Sequence, residues 1–158
     1  RRTTDDGRRT TDGEVRMTFK FEKLEVWQLA LEYVDLIYVI AGQLPRSEEY
    51  NLKSQISRAA TSIALNIAEG STGQTDAEQA RFLGMAIRSL IETVACQHII
   101  SRRKLIDDLV PLRQAYSDAE HLVAKLHAMR NRIAPDQHWL REDQEEYTTS
   151  DADGSVTL

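Results

Sequence analysis

Residues 21–44 read Phe21-Glu-Lys-Leu-Glu-Val-Trp-Gln-Leu-Ala-Leu-Glu-Tyr-Val-Asp-Leu-Ile-Tyr-Val-Ile-Ala-Gly-Gln-Leu44. Within this stretch Leu24, Trp27, Leu31, Val34, Tyr38 and Ala41 recur at alternating spacings of three and four. That is one stripe of an α-helix running from about Glu22 to Gly42. A second stripe follows Val26, Leu29 or Ala30, Tyr33, Ile37, Ile40 and Leu44. A helix in a four-helix monomer needs only one inward stripe, and a helix apolar on two sides is usually buried on two sides. The second stripe is therefore expected to meet another subunit, with Val26, Tyr33, Ile37 and Ile40 as its contact residues.

Three further amphipathic segments follow. Pro45 breaks the chain and Ser47 is placed to N-cap a helix from about Glu48 to Glu69, with Leu52, Ile56, Ala59, Ile63 and Ile67 inward. Gly70 is expected at the position just past its end, where a positive φ costs glycine least. After a polar loop from Ser71 to Thr75, Thr75-Asp-Ala-Glu78 has the spacing of a capping box. It opens a helix to about Arg103 that carries Phe82, Leu83, Ala86, Ile87, Leu90, Ile91, Val94 and Ile100. The last segment has the heptad Leu105, Leu109, Leu112, Tyr116, Ala119, Val123, Leu126, and Pro111 fits only in its first turn. Short links between such helices favour an all-α, antiparallel up-down-up-down four-helix bundle.

The 158 residues suit one domain rather than two. One cysteine, Cys96, excludes an internal disulfide framework and suits a reducing, cytoplasmic setting. The longest strictly apolar stretch, Leu36 to Gly42, is far short of the roughly 20 residues that span a membrane. The net charge of −5 is unevenly spread. Residues 19–133, the expected bundle, hold 14 bases and 14 acids, whereas residues 134–158 hold one base and seven acids. That acidic stretch loses helical periodicity and reads as a tail too poor in apolar surface to order itself, though Trp139 and Leu140 offer a local docking point. Residues 1–18 read as a leader containing a near-duplicated hexamer, with Met17 placed as a natural start.

The run Gln55-Ile-Ser-Arg-Ala-Ala-Thr-Ser-Ile-Ala-Leu-Asn-Ile-Ala-Glu-Gly70 resembles the signature of the bacterial four helix bundle protein family, known from intervening sequences inside 23S ribosomal RNA genes. Phe21 to Ala30 is similar to that family's opening helix, and Ala86-Ile-Arg-Ser-Leu-Ile-Glu92 to its helix-three segment. Ser57 and Arg88 depart from the pattern, which often has arginine and glycine there. The resemblance marks Gln55, Arg58, Asn66, Glu69, Gly70, Ser89 and Glu92 as motif residues with structural roles. It implies a homopentameric barrel, association with RNA or an RNA-handling complex, and no catalytic activity. The family is also similar in fold to the accessory protein of diversity-generating retroelements, so docking onto a reverse transcriptase with nucleic acid is the rival reading.

Among individual residues, Asn66 is expected either to fix helix register by hydrogen bonding or to recognise a ligand. Pairing residues at equal distances from the loop sets Glu69 level with Asp76, within reach of Arg81, and Glu92 level with Lys53. Glu69 is expected to pair with Arg81, to meet a neighbouring subunit, or to stand in solvent. Glu92 is expected to be buried beside a basic partner. Lys53, Arg58, Arg81, Arg88, Arg102, Arg103 and Lys104 are the candidate RNA-facing bases, set against their reading as a solvated face. Enzyme signals are poor: the sequence has no Gly-rich phosphate loop, HExxH, CxxC or G-x-S-x-G, and none of its histidines has a Glu three residues before it. Cys96 and His98, two apart on a helix, diverge. No cofactor or metal site is expected.

Overall fold

The computed structural model describes residues 17–73 and 75–135. The leader up to residue 16 and the acidic stretch from residue 136 lie outside the described residues. Those described form four α-helices with no strand: α1 (Glu25–Gln43), α2 (Leu52–Gly70), α3 (Asp76–Arg102) and α4 (Val110–Ile133). Short 3-10 turns, Lys20–Lys23 and Arg46–Glu48, precede α1 and α2. None of these helices is long and apolar enough to cross a membrane.

The core takes one stripe from each helix. On α1 it is Val26, Ala30, Tyr33, Ile37 and Ile40, and on α2 it is Leu52, Ile56, Ala60, Ile63 and Ile67. Leu83, Ala86, Ile87, Leu90 and Ile100 come from α3, and Leu112, Ala115, Leu122 and Leu126 from α4. This reverses the expected roles of the two α1 stripes. Val26, Tyr33, Ile37 and Ile40 are at most 5% exposed, so the protomer's own core uses them and leaves no surface for a partner. On α4 the buried stripe is rotated from the heptad read in the sequence. Leu112, Ala119 and Leu126 remain, but Tyr116 and Val123 are only half-buried, and Leu105 and Leu109 belong to the link before the helix.

Cross-helix contacts set the register. Ser62 of α2 meets Ser89 of α3, while Gly70 meets Phe82. His98 of α3 meets Tyr116 of α4, and Gly84 meets Arg130. In both pairs of helices, rising residue numbers on one face falling numbers on the other.

The α2–α3 register is six residues away from equal spacing about the loop, which would have set Ser62 opposite Leu83. The loop causes the shift by continuing along α2 before it turns. Ser71 Oγ donates to the Ala68 carbonyl (2.7 Å), Thr72 Oγ1 to that of Glu69 (2.7 Å), and Gly73 N to that of Gly70 (3.1 Å). Consequently α3 starts beyond the end of α2 and meets it only after more than a turn.

The helix ends explain other departures. Thr75 caps α3 as expected, its hydroxyl accepting from Glu78 N at 3.1 Å. Pro111 sits in the first turn of α4, where Asp108 Oδ1 accepts from Val110 N at 3.0 Å. α2 begins at Leu52 rather than Glu48, because Asn51 leaves helical dihedrals (φ −120°, ψ −102°). Glu48 rather than Ser47 covers that end, its carboxylate accepting from Asn51 Nδ2 (2.9 Å) and Leu52 N (3.4 Å). Gly70 is the last residue of α2 and not a left-handed cap; Ser71 follows it with φ −68°. Glycine is required here by close approach, since a Cβ would lie 2.9 Å from Phe82 Cβ.

Candidate interaction surfaces

Three features stand out around this core. The first is a polar layer inside it. Gln97 Nε2 donates to Tyr33 Oη at 2.7 Å, and Thr93 Oγ1 donates to the Leu90 carbonyl at 2.6 Å. The Thr93 proton is thereby committed, so the 2.7 Å contact between Tyr33 Oη and Thr93 Oγ1 has Tyr33 as donor. The result is a one-way chain, Gln97 to Tyr33 to Thr93 to the α3 backbone, among side chains at most 1% exposed. Burial raises the Tyr33 hydroxyl far above its usual pKa, against the opposing pull of its Thr93 and Gln97 hydrogen bonds. Burial likewise pushes the neighbouring Cys96 thiol up, with a smaller push from Glu92, which makes it a poor nucleophile. Sequence reasoning missed Thr93 and Gln97. The available signal was two polar residues four apart at inward positions between Leu90 and Ile100.

The second feature is the outward side of α1 and its seam with α2. Leu31, Val34 and Tyr38 form a stripe on α1 that is partly or largely exposed; Tyr38 is 54% exposed and contacts Thr61 of α2 at 3.4 Å. One turn beyond Thr61, Leu65 is 57% exposed. Trp27 continues the stripe, with Phe21 edge-on to it at 4.6 Å and Phe19 stacked on Phe21 at 6.1 Å. This is apolar surface that the described residues leave uncovered.

The third is the set of motif and basic residues on α2 and α3. Asn66 is buried, but it bonds within its own helix, Nδ2 donating to the Ser62 carbonyl (2.9 Å) and hydroxyl (3.0 Å). Ser89 Oγ donates to Ser62 Oγ at 3.0 Å, so Asn66 ties α2 to α3 through Ser62. Gln55 is exposed, its amide donating to Asn51. Glu69 and Glu92 are exposed, and neither forms an ion pair among the described residues. The observed register sets Glu92 near the level of Arg58 rather than Lys53 and Glu69 near that of Phe82, and the Glu69, Glu92 and Arg58 side chains are all exposed to water.

Nor is Arg81 the partner of Glu69. Its guanidinium lies 4.8 Å over the Phe82 ring and contacts Met85 Sδ at 3.8 Å. Lys53 is paired with Glu49 at 2.8 Å. Arg81, Arg88 and Arg102 are exposed at spacings of seven and fourteen, making one stripe on α3 with steps of about 10 and 21 Å. Arg102, Arg103 and Lys104 cluster where α3 ends.

That end is unusual. Lys104 has φ 52°, in the left-handed region. Leu105 N bonds to the Ile100 carbonyl (3.1 Å) and Lys104 N to that of Ser101 (3.0 Å), the bonding pattern that usually ends a helix with glycine. Another group that sequence reasoning missed is Arg130, 8% exposed, whose Nη2 lies 3.0 Å from where a Gly84 Cβ would stand. No group of three or more metal-ligating side chains gathers among the described residues.

These features define a class: an all-α helical protein whose notable chemistry is spread over helix faces. The chain belongs to the 23S rRNA-intervening sequence protein family, whose model matches residues 22–128. It is similar in fold to a solved structure from Bacteroides thetaiotaomicron, described as a protein of unknown function from the S23 ribosomal protein family. The two are 24% identical with a TM-score of 0.61, over 66% of this chain and 97% of that one. Among curated proteins none matches.

Proposed function

We propose that this chain is a non-catalytic, oligomeric interaction protein that works in the cytoplasm with RNA or an RNA-handling complex. In this reading each protomer is an antiparallel up-down-up-down bundle, and copies pack through the outward face of α1 and α2. The opposed numbering of the α2–α3 and α3–α4 contacts supports the topology. The number five, and the closed ring, come from the family resemblance alone.

The observation that carries the reading is the pairing of a completed inward stripe on α1 with an uncovered apolar stripe beside Leu65. Exposed apolar surface rimmed by polar residues marks interaction sites. For RNA the support is the arginine stripe of α3 and the left-handed Lys104 at its end. A non-glycine residue held there costs about 1–2 kcal/mol, and such strain gathers at functional positions. The body is neutral overall, so a phosphate-binding role rests on this local arrangement, repeated by each copy, rather than on bulk charge.

The test is binding of a structured ribosomal RNA fragment as salt is raised. Phosphate contacts predict affinity that falls steeply with salt. Lys104→Gly is expected to weaken binding and flatten that slope while raising stability by up to about 1 kcal/mol. RNA affinity that is absent, or that ignores salt, counts against the RNA role and leaves the assembly reading intact.

A further inference from the structure

On the side of the bundle formed by α3 and α4, Leu90, Ile91, Val94, Tyr116, Ala119 and Val123 line a half-open apolar groove of about 100 Å³. Ile91 is 42% exposed at its mouth. We propose that the groove is occupied by the chain's own C-terminal segment, with Trp139 seated in it and the acidic residues that follow lying over the Arg102–Lys104 end of the bundle.

The lengths agree. Val123 lies eleven residues before Ala134, about 16 Å along α4. Trp139 lies five residues past Ala134, about 17 Å when extended, so it just reaches the near end of the groove. The His98–Tyr116 and Gly84–Arg130 contacts put the end of α3 beside the start of α4. Arg102, Arg103, Lys104 and Arg113 therefore stand together at the far end of the same seam. From Val123 to Arg113 is about 15 Å. Glu142 to Glu146 follow Trp139 by about 10 to 24 Å of extended chain, which brackets that distance.

The charges agree as well. Glu142, Asp143, Glu145 and Glu146 meet four bases against two nearby acids, Asp107 and Asp108. Glu120 at the groove's edge is the one lining charge, and it opposes the tail's acids, which places them beyond the groove rather than in it. The order of the tail, apolar and then acidic, thus matches the order of the seam. On the RNA reading above, a tail so placed competes with phosphate for Lys104 and its neighbours.

The docking itself needs no nucleic acid, and its test uses none. In the full chain carrying Trp27→Phe, Trp139 is the sole tryptophan. Docking predicts emission shifted to the blue of a solvated indole, and acrylamide quenching lowered by roughly two-fold. Ile91→Ser, at an exposed position that leaves the core alone, is expected to reverse both effects with unchanged circular dichroism. Raising salt is expected to reverse them in part. Solvated emission in the parent chain, or no response to Ile91→Ser, overturns the proposal. Emission that moves to the blue only as protein concentration rises assigns the groove to another copy, and overturns it equally.

Discussion

Helix α1 contains two tyrosines five residues apart, each contacting a threonine on another helix, and their circumstances are opposite. Tyr33 is 1% exposed and holds Thr93 and Gln97 at 2.7 Å, whereas Tyr38 is 54% exposed and meets Thr61 at 3.4 Å. The first contact lies where an unmade hydrogen bond has no water to replace it, so it fixes α1 relative to α3 across the core. The second lies where water competes, so it constrains little and leaves the ring available to a partner. One helix thus carries both the fold's internal lock and its free face, in the same residue types.

The contrast is sharpest under truncation. Tyr33→Ala is expected to cost about 3–5 kcal/mol, the range for emptying an aromatic site in a core. Tyr38→Ala, compared at a dilution where subunits separate, is expected to stay within about 0.5 kcal/mol, as surface substitutions do. Urea unfolding of the pair measures both, and equal losses would break the distinction.

Removing only the hydroxyl is a finer probe. Tyr33→Phe strands the Gln97 amide in the core and is expected to cost about 1–3 kcal/mol, against almost nothing for Tyr38→Phe. It also carries a pH signature. Because burial raises the folded-state pKa of Tyr33 above the ordinary tyrosine value of about 10, the native state keeps a proton that the unfolded chain loses at high pH. Its contribution is fully present below pH 10 and is lost as pH rises above it. Wild-type stability should therefore fall more steeply than that of Tyr33→Phe above pH 10, by up to about 1.4 kcal/mol per pH unit. Parallel alkaline profiles would show that the hydroxyl is not held as the structure has it. The smallest effect on the protomer is expected from Leu65→Glu, within about 0.5 kcal/mol, because the side chain already faces water.

Much of this was legible in the sequence. Periodicity located all four helices, and the Thr75 cap and first-turn Pro111 were placed by local chemistry alone. Which α1 stripe faces inward was not legible, because both are apolar and periodicity cannot rank them. The deciding contacts of Tyr33 lie 60 and 64 residues along the chain, on α3. The α2–α3 register was lost for a local reason: Ser71, Thr72 and Gly73 extend the direction of α2 before the turn, and counting residues from a loop assumes that they do not. That slip moved Glu92 from the level of Lys53 to that of Arg58. The basic residues were found by type, but their separation into an α3 stripe, a lysine already paired with Glu49 and a cluster at the end of α3 needed the fold. The α3–α4 groove escaped notice because Tyr116 and Val123 were read as core rather than as its walls.

The central claim is that the outward side of α1, with Leu65, is where copies of this chain meet. Light scattering coupled to size exclusion, at high micromolar protein, tests it most directly. The account predicts a wild-type mass that is a multiple of 18.0 kDa, and a collapse to 18.0 kDa for Leu65→Glu with unchanged helicity. A wild-type chain that elutes as a single 18.0 kDa species, or a Leu65→Glu variant that assembles as wild type does, would contradict it.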